Sequence, residues 1–76
     1  MSHEYILEHY GASEINLDGI IKYINFNNNE IDFSVSVESS SQVYFRSEKT
    51  EIARLAFSKL FEFLLRRSDS INIREI

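Results

Sequence analysis

The sequence contains no cysteine, no proline and no tryptophan, and it has only two glycines among 76 residues. Without cysteine the chain forms no disulfide and offers no thiolate to a metal or to nucleophilic catalysis. The two glycines, Gly11 and Gly19, are isolated, so they cannot form a glycine-rich loop that cradles a phosphate. These absences exclude a disulfide scaffold, a thiolate zinc site and a phosphate-binding loop.

Long apolar runs are also missing. No stretch approaches the roughly 20 apolar residues that a membrane-spanning helix requires. Where a secretory signal would have a basic start and an apolar run, residues 1–20 carry the acidic side chains Glu4, Glu8, Glu14 and Asp18. We therefore expect no membrane partner and a cytoplasmic location, which for a phage-encoded protein would be the cytoplasm of the host cell.

The length and the apolar content predict a single domain spanning residues 1–76 with a true hydrophobic core. Hydrophobic residues make up 43% of the chain and include six phenylalanines and four tyrosines, a composition typical of globular proteins. A chain of this size buries only about 60% of the surface that its unfolded form exposes, so its stability margin is thin. Association with a partner is one way to widen that margin.

The clearest strand signal lies between Glu30 and Glu38. Apolar and polar residues alternate there without exception, which predicts one face in the core and one in water. The residues predicted to face the core are Ile31, Phe33, Val35 and Val37. After the serines at 39–41, a second short strand is predicted at 42–46, with Val43 and Phe45 facing inward.

Two further strands are predicted within residues 5–26. Tyr5 to Leu7 predicts a short strand that ends before Gly11, and Ile20 to Phe26 predicts a central strand that is apolar on both faces. The Asp18-Gly19 dipeptide is typical of a two-residue type I′ hairpin turn and would join this central strand to the residues before it.

One long helix is predicted at about 48–67, with Ser47 as its N-cap and arginines in its last turn. A short final strand is predicted at about 71–75, where apolar and polar residues alternate again. The predicted fold class is therefore α+β: an antiparallel β-meander of about four to five strands with the helix packed on one face.

The helix carries more apolar residues than one face of a small sheet requires. With successive residues about 100° apart, one arc forms the predicted core face: Ile52, Ala53, Ala56, Phe57, Leu60, Phe63 and Leu64. Leu55 is predicted to be exposed. A neighbouring stripe contains Arg54, Ser58, Phe61 and Leu65. This stripe packs under a sheet edge or the N-terminal segment, or it is an exposed surface that binds a second helix in a homodimer or a target protein.

No set of residues in the sequence predicts catalysis. His3 and His9 would lie about 20 Å apart on one strand, too far to share a metal, and we expect them on a solvated edge strand. The serines have neither a glycine elbow nor a partnered histidine. Glu30 and Asp32 have the spacing of a glycosidase pair, but they lie on a flat polar strand face and are expected to be solvated. We therefore predict no enzymatic activity, no cofactor and no metal.

Charge is distributed unevenly along the chain. Residues 1–40 hold seven acidic residues and one basic residue, whereas residues 41–76 hold five acidic and seven basic residues. The basic side chains are scattered around the helix, and carboxylates surround Tyr23 and Tyr44, which could otherwise stack on bases. Direct nucleic-acid binding is therefore not expected, because phosphate contacts need clustered Lys and Arg.

The remaining hypothesis is a non-enzymatic protein-binding module. An acidic face is predicted to dock on a basic, nucleic-acid-binding surface of a larger protein, as in a phage-type anti-defence (anti-CRISPR or anti-restriction) inhibitor. The predicted contact residues are Glu30, Asp32, Ser34, Ser36, Glu38 and Tyr44, with Glu14 nearby. Two alternatives stay open: an antitoxin or immunity protein, and a self-associating structural or regulatory subunit that uses the helix stripe.

Overall fold

A computed structural model describes residues 3–11, 15–24 and 32–76. Four strands and two helices follow one another in the order β1 (His3–Tyr10), α1 (Leu17–Ile24), β2 (Phe33–Ser39), β3 (Gln42–Ser47), α2 (Glu51–Arg67) and β4 (Ser70–Glu75). The predicted α+β class, with an antiparallel sheet, one long helix and a final strand, is confirmed.

The strands form one antiparallel sheet in the order β2-β3-β1-β4. Among the described strands only β2 and β3 form a hairpin, while β1 lies between β3 and β4, so the order is not that of a simple meander. The connectivity is the split β-α-β-β-α-β arrangement, in which each helix joins two parallel strands that have a third strand between them. β1 and β3 are therefore central, and β2 and β4 are the edges.

Helix α1 replaces the predicted hairpin and central strand. The prediction of a turn at Asp18-Gly19 is wrong, and so is the prediction of a strand at residues 20–24. The last two residues of that predicted strand, 25 and 26, lie outside the described part of the chain. Asn16 caps the helix, because its side-chain oxygen accepts the Gly19 N–H at 2.8 Å. Ile20 and Ile24, which are four residues apart, are buried on one helical face, so burial outweighs the β preference of the isoleucines.

Helix α2 begins later than predicted. Its N-cap is Thr50, whose hydroxyl accepts the Ala53 N–H at 3.1 Å, rather than Ser47. Ser47 instead ends β3, where it pairs with Phe33 and His3. The next residue, Glu48, donates its N–H to the Asp32 carbonyl at 2.8 Å and so extends the ladder by one more residue. Sheet pairing at residues 47 and 48 thus prevents the helix from starting there.

Replacing Thr50 by alanine is expected to lower the free energy of unfolding by about 1 kcal/mol, because the Ala53 N–H loses its partner. Urea unfolding followed by circular dichroism measures this loss. Ser58→Ala is the matched control, because Ser58 is exposed in the middle of the same helix and should lose nothing. Equal midpoints for Thr50→Ala and the wild type would show that the cap contributes no stability.

The core lies between the two helices and one face of the sheet, and it consists of Leu7, Ile20, Ile24, Phe33, Val43, Phe45, Ala53, Ala56, Leu60, Phe63 and Leu64. The predicted inward residues of β3 are buried, and Leu55 is exposed, as predicted. Phe57 is partly buried and packs against Tyr5 and Phe45, with ring centroids 5.1 and 5.2 Å away. The predicted core position of Ile52 is wrong: Ile52 is exposed because it lies at the outer margin of that arc in the first turn.

Strand β1 is longer and more central than predicted. Its alternate residues Tyr5, Leu7 and His9 face the helices, so the prediction of a solvated edge strand is wrong for His9, which is buried. His3, at the start of the strand, is bonded through Nδ1 to the Glu75 carboxylate at 2.9 Å. Gly11 follows β1 with φ +76, a backbone conformation that favours glycine.

Candidate functional site

The sheet face opposite the helices carries the candidate site. Both helices pack on one side of the sheet, and no described residue outside the sheet covers the other side, which we call the open face. Strand alternation places on it the side chains of Glu4, Ile6, Glu8, Tyr10, Ser34, Ser36, Gln42, Tyr44, Arg46, Asn72 and Arg74.

The centre of the open face is organised by two carboxylates of β1. The Tyr44 hydroxyl donates to Glu4 at 2.6 Å. This hydrogen bond to Glu4 is the main reason why the pKa of Tyr44 is raised, and burial adds to it. Glu8 accepts from the Gln42 amide at 3.2 Å and from the Asn72 amide at 3.3 Å. Hydrogen bonds across three strands therefore hold both carboxylates in position.

The β2 side of the open face is also hydrogen-bonded. The Arg46 guanidinium donates to the Ser34 hydroxyl at 3.2 Å and forms an ion pair with Glu48. The Ser36 hydroxyl donates to Glu38 at 2.8 Å. Arg46 is thus engaged by the protein's own residues, whereas Glu38 is exposed at the rim.

The open face is more acidic than basic and has an aromatic component. Of the charged residues that the structure describes, four carboxylates belong to this face or to its rim (Glu4, Glu8, Glu38 and Glu48), against two guanidinium groups (Arg46 and Arg74). Tyr10 is exposed, and Ile6 lies half-buried directly across from Tyr44. Carboxylates beside aromatic rings repel the phosphates of a nucleic acid and attract a cationic protein surface.

The structure brings together part of the predicted site. Ser34, Ser36, Glu38 and Tyr44 lie on the open face, and Asp32 lies in the turn that precedes β2. Glu14 and Glu30 lie outside the described residues. β2 is an edge strand, so Ser34, Ser36 and Glu38 form one side of the face, whereas Tyr44 lies on the central strand β3.

Sequence reasoning missed Glu4 and Glu8, which are central. The available signal was alternation between positions 3 and 10, where Tyr5, Leu7 and His9 interleave with the two glutamates. Because this segment contains two histidines, the sequence pattern indicates a solvated edge strand. Its central position follows only from its pairing with both β3 and β4.

The predicted helix stripe is not buried by the sheet. Arg54, Ser58 and Leu65 are exposed, Leu65 to 50%, and Phe61 is half-buried and does not belong to the buried core. The sequence left two alternatives: the stripe packs under a sheet edge or the N-terminal segment, or it is an exposed binding surface. The first alternative requires the stripe to be covered. Within the described residues it is a second surface that remains accessible.

A shallow groove of about 510 Å³ separates the two helices. Its lining consists of Asn16, Gly19, Lys22, Tyr23, Phe63 and Arg67. The Arg67 guanidinium lies 3.9 Å above the Phe63 ring, which Tyr23 meets edge-on at 5.4 Å. These side chains include no nucleophile paired with a base, so the groove suggests no reaction.

The described residues contain no group of three or more His, Asp or Glu side chains placed to hold a metal ion. Neither of the two described helices is long and apolar enough to cross a bilayer. No protein-family model, no curated protein and no solved structure matches the chain.

Proposed function

We propose that the protein is a non-enzymatic binding module that docks its open face on a basic surface of a larger protein and inhibits that protein. The observation that carries this proposal is an uncovered pair of central strands with Glu4 and Glu8 at the middle of the face. A complementary positive surface would be attracted at long range, which speeds encounter and selects the partner.

The hydrogen bonds within the open face suit it for binding. Glu4 is held by Tyr44, and Glu8 is held by Gln42 and Asn72. Side chains that are already ordered lose less conformational entropy when a partner arrives. Tyr10 and Tyr44 add rigid aromatic surface of the kind that dominates binding energy at protein interfaces.

The partner that suits this chemistry is a protein whose basic surface normally binds nucleic acid. Occupying that surface would block its ligand, which is how a phage-type anti-defence protein (anti-CRISPR or anti-restriction) would act. An antitoxin or immunity protein would use the same surface against a toxic nuclease. The small size and the acidic open face support both readings equally.

The proposal predicts that reversing charge on the open face abolishes partner capture. Glu4 and Glu38 are changed together to lysine, and the tagged variant and wild type are compared in affinity capture from host lysate with quantitative mass spectrometry. The affinity should fall by about 100-fold or more, which corresponds to roughly 2.8 kcal/mol lost over two charged contacts. Rising salt concentration should also weaken the wild-type complex, because salt screens the attraction between the charges.

The matched control reverses two exposed carboxylates of α2 instead. Glu51→Lys with Glu62→Lys makes the same change in net charge away from the open face. Capture should survive in this variant. Equal loss in both variants, or no loss in the first, would contradict the proposal, and so would a salt-dependent gel shift with mixed DNA and RNA.

A further inference from the structure

Strand β4 presents an unpaired edge. Ile76 donates its N–H to the Glu4 carbonyl at 2.8 Å, and the antiparallel register continues this bonding through Arg74 and Asn72. The intervening residues Ile71 and Ile73 therefore direct their N–H and C=O groups away from β1. No described strand pairs with that side of β4.

The β4 edge lacks several of the features that protect edge strands, and its charges, Arg74 and Glu75, lie together at its C-terminal end. Its register with β1 is regular from Tyr5↔Glu75 to Tyr10↔Ser70, whereas the β2 edge carries an irregularity between Val37 and Ser39. β4 has no proline, lysine or bulge. Ile73 is 39% exposed, so the edge carries an accessible apolar side chain as well as unpaired main-chain groups.

The exposed stripe of α2 lies on the same side of the molecule as this edge. Phe63 and Arg67 of α2 face α1, which packs toward β2, whereas α2 itself also contacts β4. The stripe of Arg54, Ser58, Phe61 and Leu65 is about 180° around the helix from Phe63, so it faces away from α1 and overhangs the β4 flank. Edge and stripe form one surface, which we call the β4 flank.

We infer that the β4 flank binds a second copy of the chain across a two-fold axis and so joins two sheets into one. The axis passes between the two Asn72 residues. Ile71 then exchanges both main-chain hydrogen bonds with the partner's Ile73, and the reverse pair forms by symmetry. This register sets Ile71 against the partner's Ile73 on the helix side of the sheet, and it sets Asn72 against its copy on the open-face side.

The β4 edge is complementary to itself, which identifies a second copy of the chain as the partner of the β4 flank. A two-fold axis requires one patch to satisfy itself, and the Ile71-Asn72-Ile73 segment does so in main-chain hydrogen bonding and carries no charge that would oppose its copy. Arg74 lies opposite the partner's Ser70. The like-charged pair, Glu75 with the partner's Asp69, lies at the ends of the segment, where Glu75 is bonded to His3. The open face stays uncovered in this dimer, so the inference does not rest on the proposed function.

The mass in solution tests the dimer. Light scattering at about 100 μM should give twice the monomer mass of 8.9 kDa. Leu65→Glu should raise the dissociation constant at least about tenfold, because it places a charge in an apolar contact. Leu55→Glu is the matched control on the same helix, since Leu55 is 48% exposed but faces outward, and it should leave the mass unchanged.

A cysteine cross-link tests the register. The chain has no native cysteine, so Asn72→Cys introduces a single thiol beside the axis. Directly opposed residues have Cα atoms about 4.5–5.5 Å apart, within disulfide range. Under mild oxidation this variant should form a covalent dimer much faster than Ser36→Cys, which lies on β2 at the other edge of the sheet.

Two results would overturn the inference. One is a monomer at 100 μM together with equal cross-linking rates for the two cysteine variants. The other is a dimer whose mass is unaffected by Leu65→Glu and by Ile73→Pro, because proline removes an N–H that only the partner would use. Thermal unfolding of each variant checks that the fold is retained.

Discussion

Replacing Phe45 by alanine is expected to lower the free energy of unfolding by about 3–5 kcal/mol. Phe45 is fully buried on the central strand β3, stacked on Phe33 at 5.7 Å and edge-on to Phe57 at 5.2 Å. A 76-residue domain has about 4–11 kcal/mol of stability in total. The loss is therefore a large fraction of the total, and at the lower end of that range the variant would be close to its unfolding midpoint at 25 °C.

Urea unfolding followed by circular dichroism and tyrosine fluorescence measures this effect. Tyr44→Ala is the control, because Tyr44 is the adjacent residue on the same strand but faces the open side. It should lose about 1 kcal/mol, mostly from its hydrogen bond to Glu4. Losses of similar size in the two variants would mean that the core does not lie on the helix side of the sheet.

The second large effect is a loss of stability in mild acid that depends on His9. His9 is only 3% exposed, and neither Nδ1 nor Nε2 has a hydrogen-bond partner among the described residues. Burial lowers the pKa of His9 below its ordinary value of 6.5. The folded protein therefore favours the neutral ring, whereas the unfolded chain accepts a proton at the ordinary pKa.

The direction of the pH dependence follows from this difference. Above about pH 7 the ring is neutral in both states, and its titration contributes nothing to the pH dependence of stability. As the pH falls through 6.5 the unfolded chain is protonated first, so the free energy of unfolding falls by up to about 1.4 kcal/mol per pH unit. The contribution of His9 to the decrease in the free energy of unfolding stops once the pH is below the lowered pKa of His9 in the folded state.

Unfolding midpoints between pH 5 and 7.5 check this prediction. His9→Leu should remove the part of the slope due to His9 and should not be less stable at pH 7.5, because an apolar side chain replaces unpaired nitrogens. His3→Gln changes the other histidine, which is exposed at the start of β1 and bonded to Glu75, and it should keep the slope due to His9. The explanation fails if His9→Leu and wild type lose stability in parallel as the pH falls.

Much of the fold could be predicted because local patterns and tertiary environment agree. The period-two alternation at 33–39 and 42–47 is that of half-buried strands, and the amphipathic pattern at 51–67 is that of a helix on a sheet. α1 could not be predicted in this way. Its isoleucines favour strands by propensity, and the helix is selected by the Asn16 cap and by burial of Ile20 and Ile24.

The candidate site was only partly predictable for a similar reason. A polar face on β2 is visible in the alternation of residues around Ser34 and Ser36. Whether it is the middle or the edge of a surface depends on strand order, which no local pattern encodes. Pairing of β1 with both β3 and β4 moves the centre of the face to Glu4 and Glu8 and buries His9 on the opposite side.

By itself, the sequence determined the class of the domain, the strands β2, β3 and β4, the long helix and most of its core face, because these depend on periodicities along a single segment. Only the tertiary structure decided which strands are central, that residues 17–24 are helical, and that α2 contacts β4, whose outer side pairs with no described strand. Those features depend on contacts between segments far apart in the chain, whose free energies local propensity does not contain.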